Sequence, residues 1–137
     1  MLGINYPIHQ NVIKRLSKKR SIELYKKLID KRMEMQNHPQ QSKLALSHLG
    51  NERGGDEADQ VTRLQQETQY TGRIQRDLQM LKKITKALER MEKGTYGICD
   101  QTGEVISFTR LSAIPWTTLS LEGAEELEEM IALKKAR

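Results

Sequence analysis

Residues 50–93 read GNERGGDEADQVTRLQQETQYTGRIQRDLQMLKKITKALERMEK, and this run decides the fold. Gly50, Asn51, Gly54 and Gly55 cluster as a helix stop and turn, because glycine and asparagine adopt the left-handed conformation that ends a helix at little cost. After them the sequence has no proline as far as Lys93. Val61, Leu64, Thr68, Thr71, Ile74, Leu78, Leu81, Leu88 and Met91 recur in steps of three and four, a near-heptad seam. The spacing predicts one helix from Asp56 or Asp59 to about Lys93, roughly 35 residues and about 50 Å at 1.5 Å per residue.

Upstream of the turn a second helical pattern runs towards it. Ile22, Tyr25, Leu28, Ile29, Met33 and Gln36 share one face, with Ser21 as the candidate cap and Glu23 in the first turn. Pro39 predicts a kink or short break near His38, since proline lacks the amide proton and collides with the preceding turn; residues 43–49 then resume helical composition. Two long helices joined by a glycine turn pair most economically as an antiparallel hairpin. Residues 1–16, with Pro7 among scattered apolar residues, are too irregular for a helix assignment and read as a docking arm.

Downstream, the period changes after Gly94. Tyr96-Gly97-Ile98-Cys99, a turn at Asp100-Gln101-Thr102-Gly103, and Glu104-Val105-Ile106-Ser107 read as a short β-hairpin. Pro115-Trp116 lies in a loop. Ser120 caps a last helix with Leu121, Ala124, Leu127, Met130 and Ile131 on one face. The expectation is a mainly α chain in three parts: a basic arm over 1–20, a coiled-coil hairpin over 21–93 with its tip at about 50–61, and a small globular piece over 94–137.

Composition agrees with an elongated helical chain. Of 137 residues, 36% are hydrophobic, 4% aromatic and 30% charged, too few large side chains for a thick core. The net charge of +5 is uneven: residues 1–50 hold 10 Lys and Arg against 3 Asp and Glu, 51–119 hold 10 of each, and 120–137 hold 3 against 5. Lys14, Arg15, Lys18, Lys19 and Arg20 form the densest cluster, either a solvated helix approach or a surface for nucleic acid or an acidic protein. No stretch approaches the roughly 20 apolar residues that cross a bilayer, and no signal-peptide layout opens the chain. With one cysteine, a reducing, cytoplasmic setting is expected.

The candidate residues are few. Asp56 and Asp59 stand at the hairpin turn, where carboxylates also serve free backbone N–H groups and the helix dipole. Cys99 is a single thiol with no histidine beside it, which is not a ligand set; a small buried apolar residue is the plain alternative. His9, His38 and His48 make no ligand spacing. There is no phosphate-binding glycine loop and no nucleophile–base arrangement, so no enzyme is expected.

The run over residues 87–99, ALERMEKGTYGIC, resembles the end of the coiled coil and the start of the zinc finger in the DksA/TraR family of bacterial transcription factors. Thr102-Gly103-Glu104-Val105-Ile106, Arg110-Leu111 and Ala113-Ile114-Pro115 continue the resemblance. Asp56, Asp59 and Val61 fall where that family carries its Asp-x-x-Asp-x-Ala tip. The resemblance covers about 54–127. It implies a hairpin that enters the secondary channel of RNA polymerase, with Asp56 and Asp59 as charges placed near the active centre, often acting with the alarmone ppGpp in the stringent response. It implies RNA polymerase as partner, no need for direct nucleic-acid binding, and a monomer.

Three departures qualify this. The zinc ligands of the four-cysteine members would fall at Cys99, Thr102, Ser120 and Gly123, so three of four are gone and a metal-free knuckle is expected, held by Ile98, Val105, Ile106, Phe108, Leu111, Trp116 and Leu119. Val61 replaces the tip alanine. Arg76 and Lys83 fall at positions basic in ppGpp-responsive members, a possible alarmone or polymerase contact, but Ile114 and Ala124 stand where such members offer further basic groups. The alternatives from other classes are a basic helical nucleic-acid-binding protein and a Gre-like transcript-cleavage factor.

Overall fold

The computed structural model describes residues 6–51 and 57–136, apart from the side chains of 39–51 and of Ala58. Five helices follow in order: α1 (Gln10–Leu16), α2 (Lys18–Asn51), α3 (Glu57–Lys93), α4 (Phe108–Ala113) and α5 (Leu121–Lys135). No strand occurs among the described residues; a single antiparallel bridge joins Ile98 and Val105. Two compact units share the chain, Met1–Ile29 with Lys83–Arg137, and Asp30–Lys82. The first holds the start of α2 with the end of α3, the second the rest of both, so the helices pair antiparallel, as the glycine turn implied.

Pro39 and Gly50 are both carried inside α2. The break expected near His38 does not occur. An interior proline costs a helix about 3 kcal/mol through one lost hydrogen bond and one steric clash, and a 34-residue helix retains most of its remaining ladder. The turn residues from 52 to 55 lie outside the described residues.

The seams share Leu28 and Met91 with the faces the periodicity picked but otherwise run one residue away from them. On α2 the buried line is Ser21, Leu24, Leu28 and Met35, while Met33 is 57% exposed. On α3 it is Asp77, Ile84, Ala87 and Met91, and Leu78 is 52% exposed. Spacings of seven from 77 to 84 to 91 mark the heptad line. Within the second unit, His38 Nδ1 of α2 lies 3.6 Å from Asp77 Oδ2 of α3.

The segment read as an irregular arm contains α1. His9 caps it, its Nδ1 accepting from Asn11 N at 3.0 Å, and His9 N donates to Met91 O at 2.7 Å, tying the arm to the end of α3. Arg15 Nη2 donates to Gly94 O (2.5 Å) and Tyr96 O (2.8 Å), placing a cation at the negative end of α3. Gly94 has φ +91°, and a Cβ there would stand 2.7 Å from His9 Nδ1, so glycine is required twice over. Ser17, at φ 95°, turns the chain into α2, and its Oγ accepts from Arg20 N. Ser21, the expected cap, is buried instead and donates to Ser17 O at 2.6 Å.

The expected β-hairpin shrinks to its turn and one bridge. Ile106 N donates to Gly97 O and Cys99 N to Glu104 O, and Gly103 N closes the turn on Cys99 O. Beyond Ile106 the chain cannot extend the ladder, because Ser107 becomes the N-cap of α4, its Oγ accepting from Arg110 N. Ser120 caps α5 as read, accepting from Gly123 N. The first unit's core comprises Val12, Leu16, Leu24, Leu28, Ile84, Ala87, Met91, Tyr96, Cys99, Ile106 and Leu111. Val105, expected among the knuckle's packing residues, is 58% exposed. Among the described residues no helix is long and apolar enough to cross a membrane.

Candidate functional site

Three places carry the candidate residues. The first is the start of α3. Glu57 and Asp59 occupy its first turn, where a carboxylate meets unsatisfied N–H groups and the positive end of the helix dipole. Asp59 is exposed, and Val61 (55%) and Leu64 (63%) are exposed apolar residues one and two turns on. Asp56 lies outside the described residues. Thr68 and Thr71 donate to the carbonyls of Leu64 and Glu67, so the polar groups of the seam are satisfied within the helix. The start of α3 therefore combines negative charge with uncovered apolar surface.

The second place is a cleft of about 460 Å³ in the first unit, lined by Lys83, Lys86 and Arg90 of α3, Asp100, Ile114, and the loop from Trp116 to Leu119. Lys83 and Lys86 are exposed, and Arg90 Nη2 is paired with Asp100 Oδ2 at 2.8 Å. With Arg90 paired to Asp100, Lys83 and Lys86 leave the lining net positive, which suits an anion. Arg76 is exposed on α3 but does not line this cleft. Lys86 and Arg90 escaped the sequence reading, although their spacing of three and seven from Lys83 places all three on one helical face.

The third place collects Cys99, Thr102, Ser120 and Gly123. Cys99 is 2% exposed, and Ser120 and Gly123 are buried. Burial pushes the Cys99 thiol up, but hydrogen bonds from the hydroxyls and backbones of Ser120 and Thr102 outweigh it and bring the thiol down to about 6. Ser120 Oγ also accepts from Gly123 N at 3.0 Å, and Thr102 Oγ1 from Glu104 N at 3.3 Å. A Cβ on Gly123 would overlap Cys99 Sγ. A structural zinc needs four thiolate, imidazole or carboxylate ligands in a tetrahedron. One thiol, two hydroxyls and a glycine do not fit it, and among the described residues no group of three or more His, Cys, Asp or Glu gathers to hold a metal.

The basic cluster of the first third is partly consumed by the fold. Arg15 holds the carbonyls of Gly94 and Tyr96, and Arg20 lies 4.5 Å above the ring of Phe108. Lys14, Lys18 and Lys19 are exposed.

With this geometry in place, likeness to known proteins is specific. Residues 94–129 match the prokaryotic dksA/traR C4-type zinc finger, a stretch containing all four positions of the third place. General stress protein 16O of Bacillus subtilis is 27% identical over 117 residues, spanning 83% of this chain and 72% of that protein. The RNA polymerase-binding transcription factor DksA of Caulobacter vibrioides is 37% identical over 91 residues, 64% of this chain and 63% of that one. The solved structure of transcription factor DksA2 from Pseudomonas aeruginosa superimposes with a TM-score of 0.75 at 32% identity, covering 85% of this chain and 89% of that one. Fold and sequence thus agree along almost the whole of a known member, and the chain belongs to the DksA/TraR family.

Proposed function

We propose that the chain regulates transcription by binding RNA polymerase, and that its working end is the start of α3 with the loop before it, reaching the active centre through the secondary channel. The observation that carries this reading is the acidic first turn of α3 beside exposed Val61 and Leu64, on a chain that superimposes on DksA2 over 85% of its length. The Caulobacter relative is by name an RNA polymerase-binding transcription factor.

In this reading Asp56 and Asp59 perform no chemistry. They act as placed charges: a carboxylate 4 Å from a charged group in a site of effective dielectric about 20 interacts by roughly 4 kcal/mol, enough to change the lifetime of a polymerase–promoter intermediate by up to about a thousandfold. Val61 sets how deeply the tip fits. The basic cleft is a second point of contact. Lys83, Lys86 and Arg90 suit a phosphate-rich surface or ppGpp as co-effector, whereas Ile114 in the same lining offers that ligand no charge.

Co-purification with core RNA polymerase tests the partner, and its absence removes the reading. The Asp56→Asn, Asp59→Asn double variant is expected to bind the enzyme yet lose its effect on promoter activity; normal regulation by that variant takes the tip out of the mechanism. Binding should persist without nucleic acid, since Arg15 already holds the carbonyls of Gly94 and Tyr96 and Arg20 lies over the ring of Phe108. Direct DNA or RNA binding that falls steeply with salt would favour the nucleic-acid alternative. RNA cleavage in stalled complexes, expected to be absent, would favour the Gre-like one.

A further inference from the structure

The family's finger is of the C4 type, and four zinc–thiolate bonds are a large share of the folding free energy of so small a module. In this chain the four corresponding positions still meet, but each has a different task. Cys99 Sγ occupies the space that a Cβ on residue 123 would fill. Ser120 Oγ accepts from Gly123 N at 3.0 Å as the α5 cap and stands 3.2 Å from that same Cβ position. Thr102 Oγ1 accepts from Glu104 N at 3.3 Å within the turn. Asp100 N donates to Thr118 O at 2.8 Å, so the turn and the segment before α5 are also joined through the backbone.

We infer that this cluster is a metal-free clasp: the Cys99 sulfur, seated against Gly123 beside the Ser120 cap, ties the turn to the start of α5 in the place where zinc joins them in four-cysteine relatives. The sulfur fills the space beside Gly123, and the Ser120 hydroxyl serves the first turn of α5. A side chain at Gly123 competes with the sulfur for the same volume. Reinstating a cysteine at position 123 alone creates a clash before it creates a ligand.

The inference stands apart from the polymerase reading and is tested on the purified full-length chain alone. Zinc per chain, measured by plasma mass spectrometry after expression in zinc-replete medium, is expected below one tenth, and the melting curve is expected to be the same with and without a strong chelator. Zinc near one per chain, or a melting midpoint that falls on chelation, overturns the clasp. Two variants then separate its parts. Ser120→Ala is expected to lower the midpoint by several degrees with zinc content unchanged. Gly123→Ala is expected to lower it also, and Cys99→Ala added to Gly123→Ala to restore part of the loss by vacating the contested volume. If the two substitutions simply add, the sulfur does not sit against Gly123 and the clasp is wrong. Should Gly123→Ala not fold, the zinc and chelator measurements on the unaltered chain still decide.

Discussion

The Tyr96 hydroxyl offers a clean perturbation of the piece that carries the cleft. Tyr96 is 1% exposed and its Oη donates to Pro115 O at 2.7 Å; Pro115 is itself buried. Burial drives the phenol's pKa upward, so the group stays a neutral donor at any physiological pH. Tyr96→Phe keeps the ring and its packing and removes only that donor, leaving a buried carbonyl without its partner. A neutral hydrogen bond contributes about 1 kcal/mol net, and an orphaned buried acceptor raises the loss to roughly 1–3 kcal/mol. With a urea dependence of about 1–3 kcal/mol per molar for a chain of this size, the midpoint should fall by roughly 1 M. Trp116, the chain's one tryptophan, follows the acceptor directly, so its fluorescence reports on the element being tested. The slope should not change, because the folded state exposes no new surface. A midpoint unchanged within about 0.2 M, at constant slope, would show that Pro115 O finds water or another donor, and would refute the view that Tyr96 pins this wall of the cleft. Tyr70→Phe, at a half-buried ring that Arg73 approaches to 6.0 Å, is the control and should have no effect.

Three further outcomes are expected. Because the folded-state pKa of Cys99, about 6, lies below its ordinary value of 9.0, its contribution to stability is present in full above about pH 9 and is lost as pH falls through 6; denaturation midpoints across this range should rise with pH, and Cys99→Ala should flatten the rise. Leu24→Ala should cost about 2–5 kcal/mol and Met33→Ala under about 0.5 kcal/mol in urea unfolding, reversing what the periodicity of α2 implied, since the first is fully buried and the second exposed. Lys83→Ala with Lys86→Ala should weaken binding of a phosphate-rich nucleotide or of polymerase at low salt more than at high salt, measured by titration at two ionic strengths.

Residues 50–93 carried the α3 helix and its acidic first turn, and with the helical pattern upstream the antiparallel hairpin, because a long uninterrupted heptad pattern and a glycine cluster are local features that few other folds accommodate. Ser120 was legible as the cap of α5 for the same reason: a capping hydroxyl and the N–H it serves are three residues apart. The family resemblance pointed to Asp56, Asp59, Lys83 and the four finger positions as candidates, although Asp56 falls outside the described residues.

Tertiary structure decided what depends on residues far apart in the chain. Periodicity admits neighbouring faces of a helix almost equally, and only packing in three dimensions buried Leu24 together with Leu28 and left Met33, grouped with Leu28 by the pattern, exposed. Pro39 could be read only as a local defect, whereas it lies within a helix sustained on both sides. The arm gave no periodic signal because α1 is seven residues long and is held by bonds to positions about 80 residues away, from His9 to Met91 and from Arg15 to Gly94 and Tyr96. The resemblance named Cys99, Thr102, Ser120 and Gly123 as a lost zinc site, but that the sulfur fills the glycine's space follows only from their coming together in three dimensions.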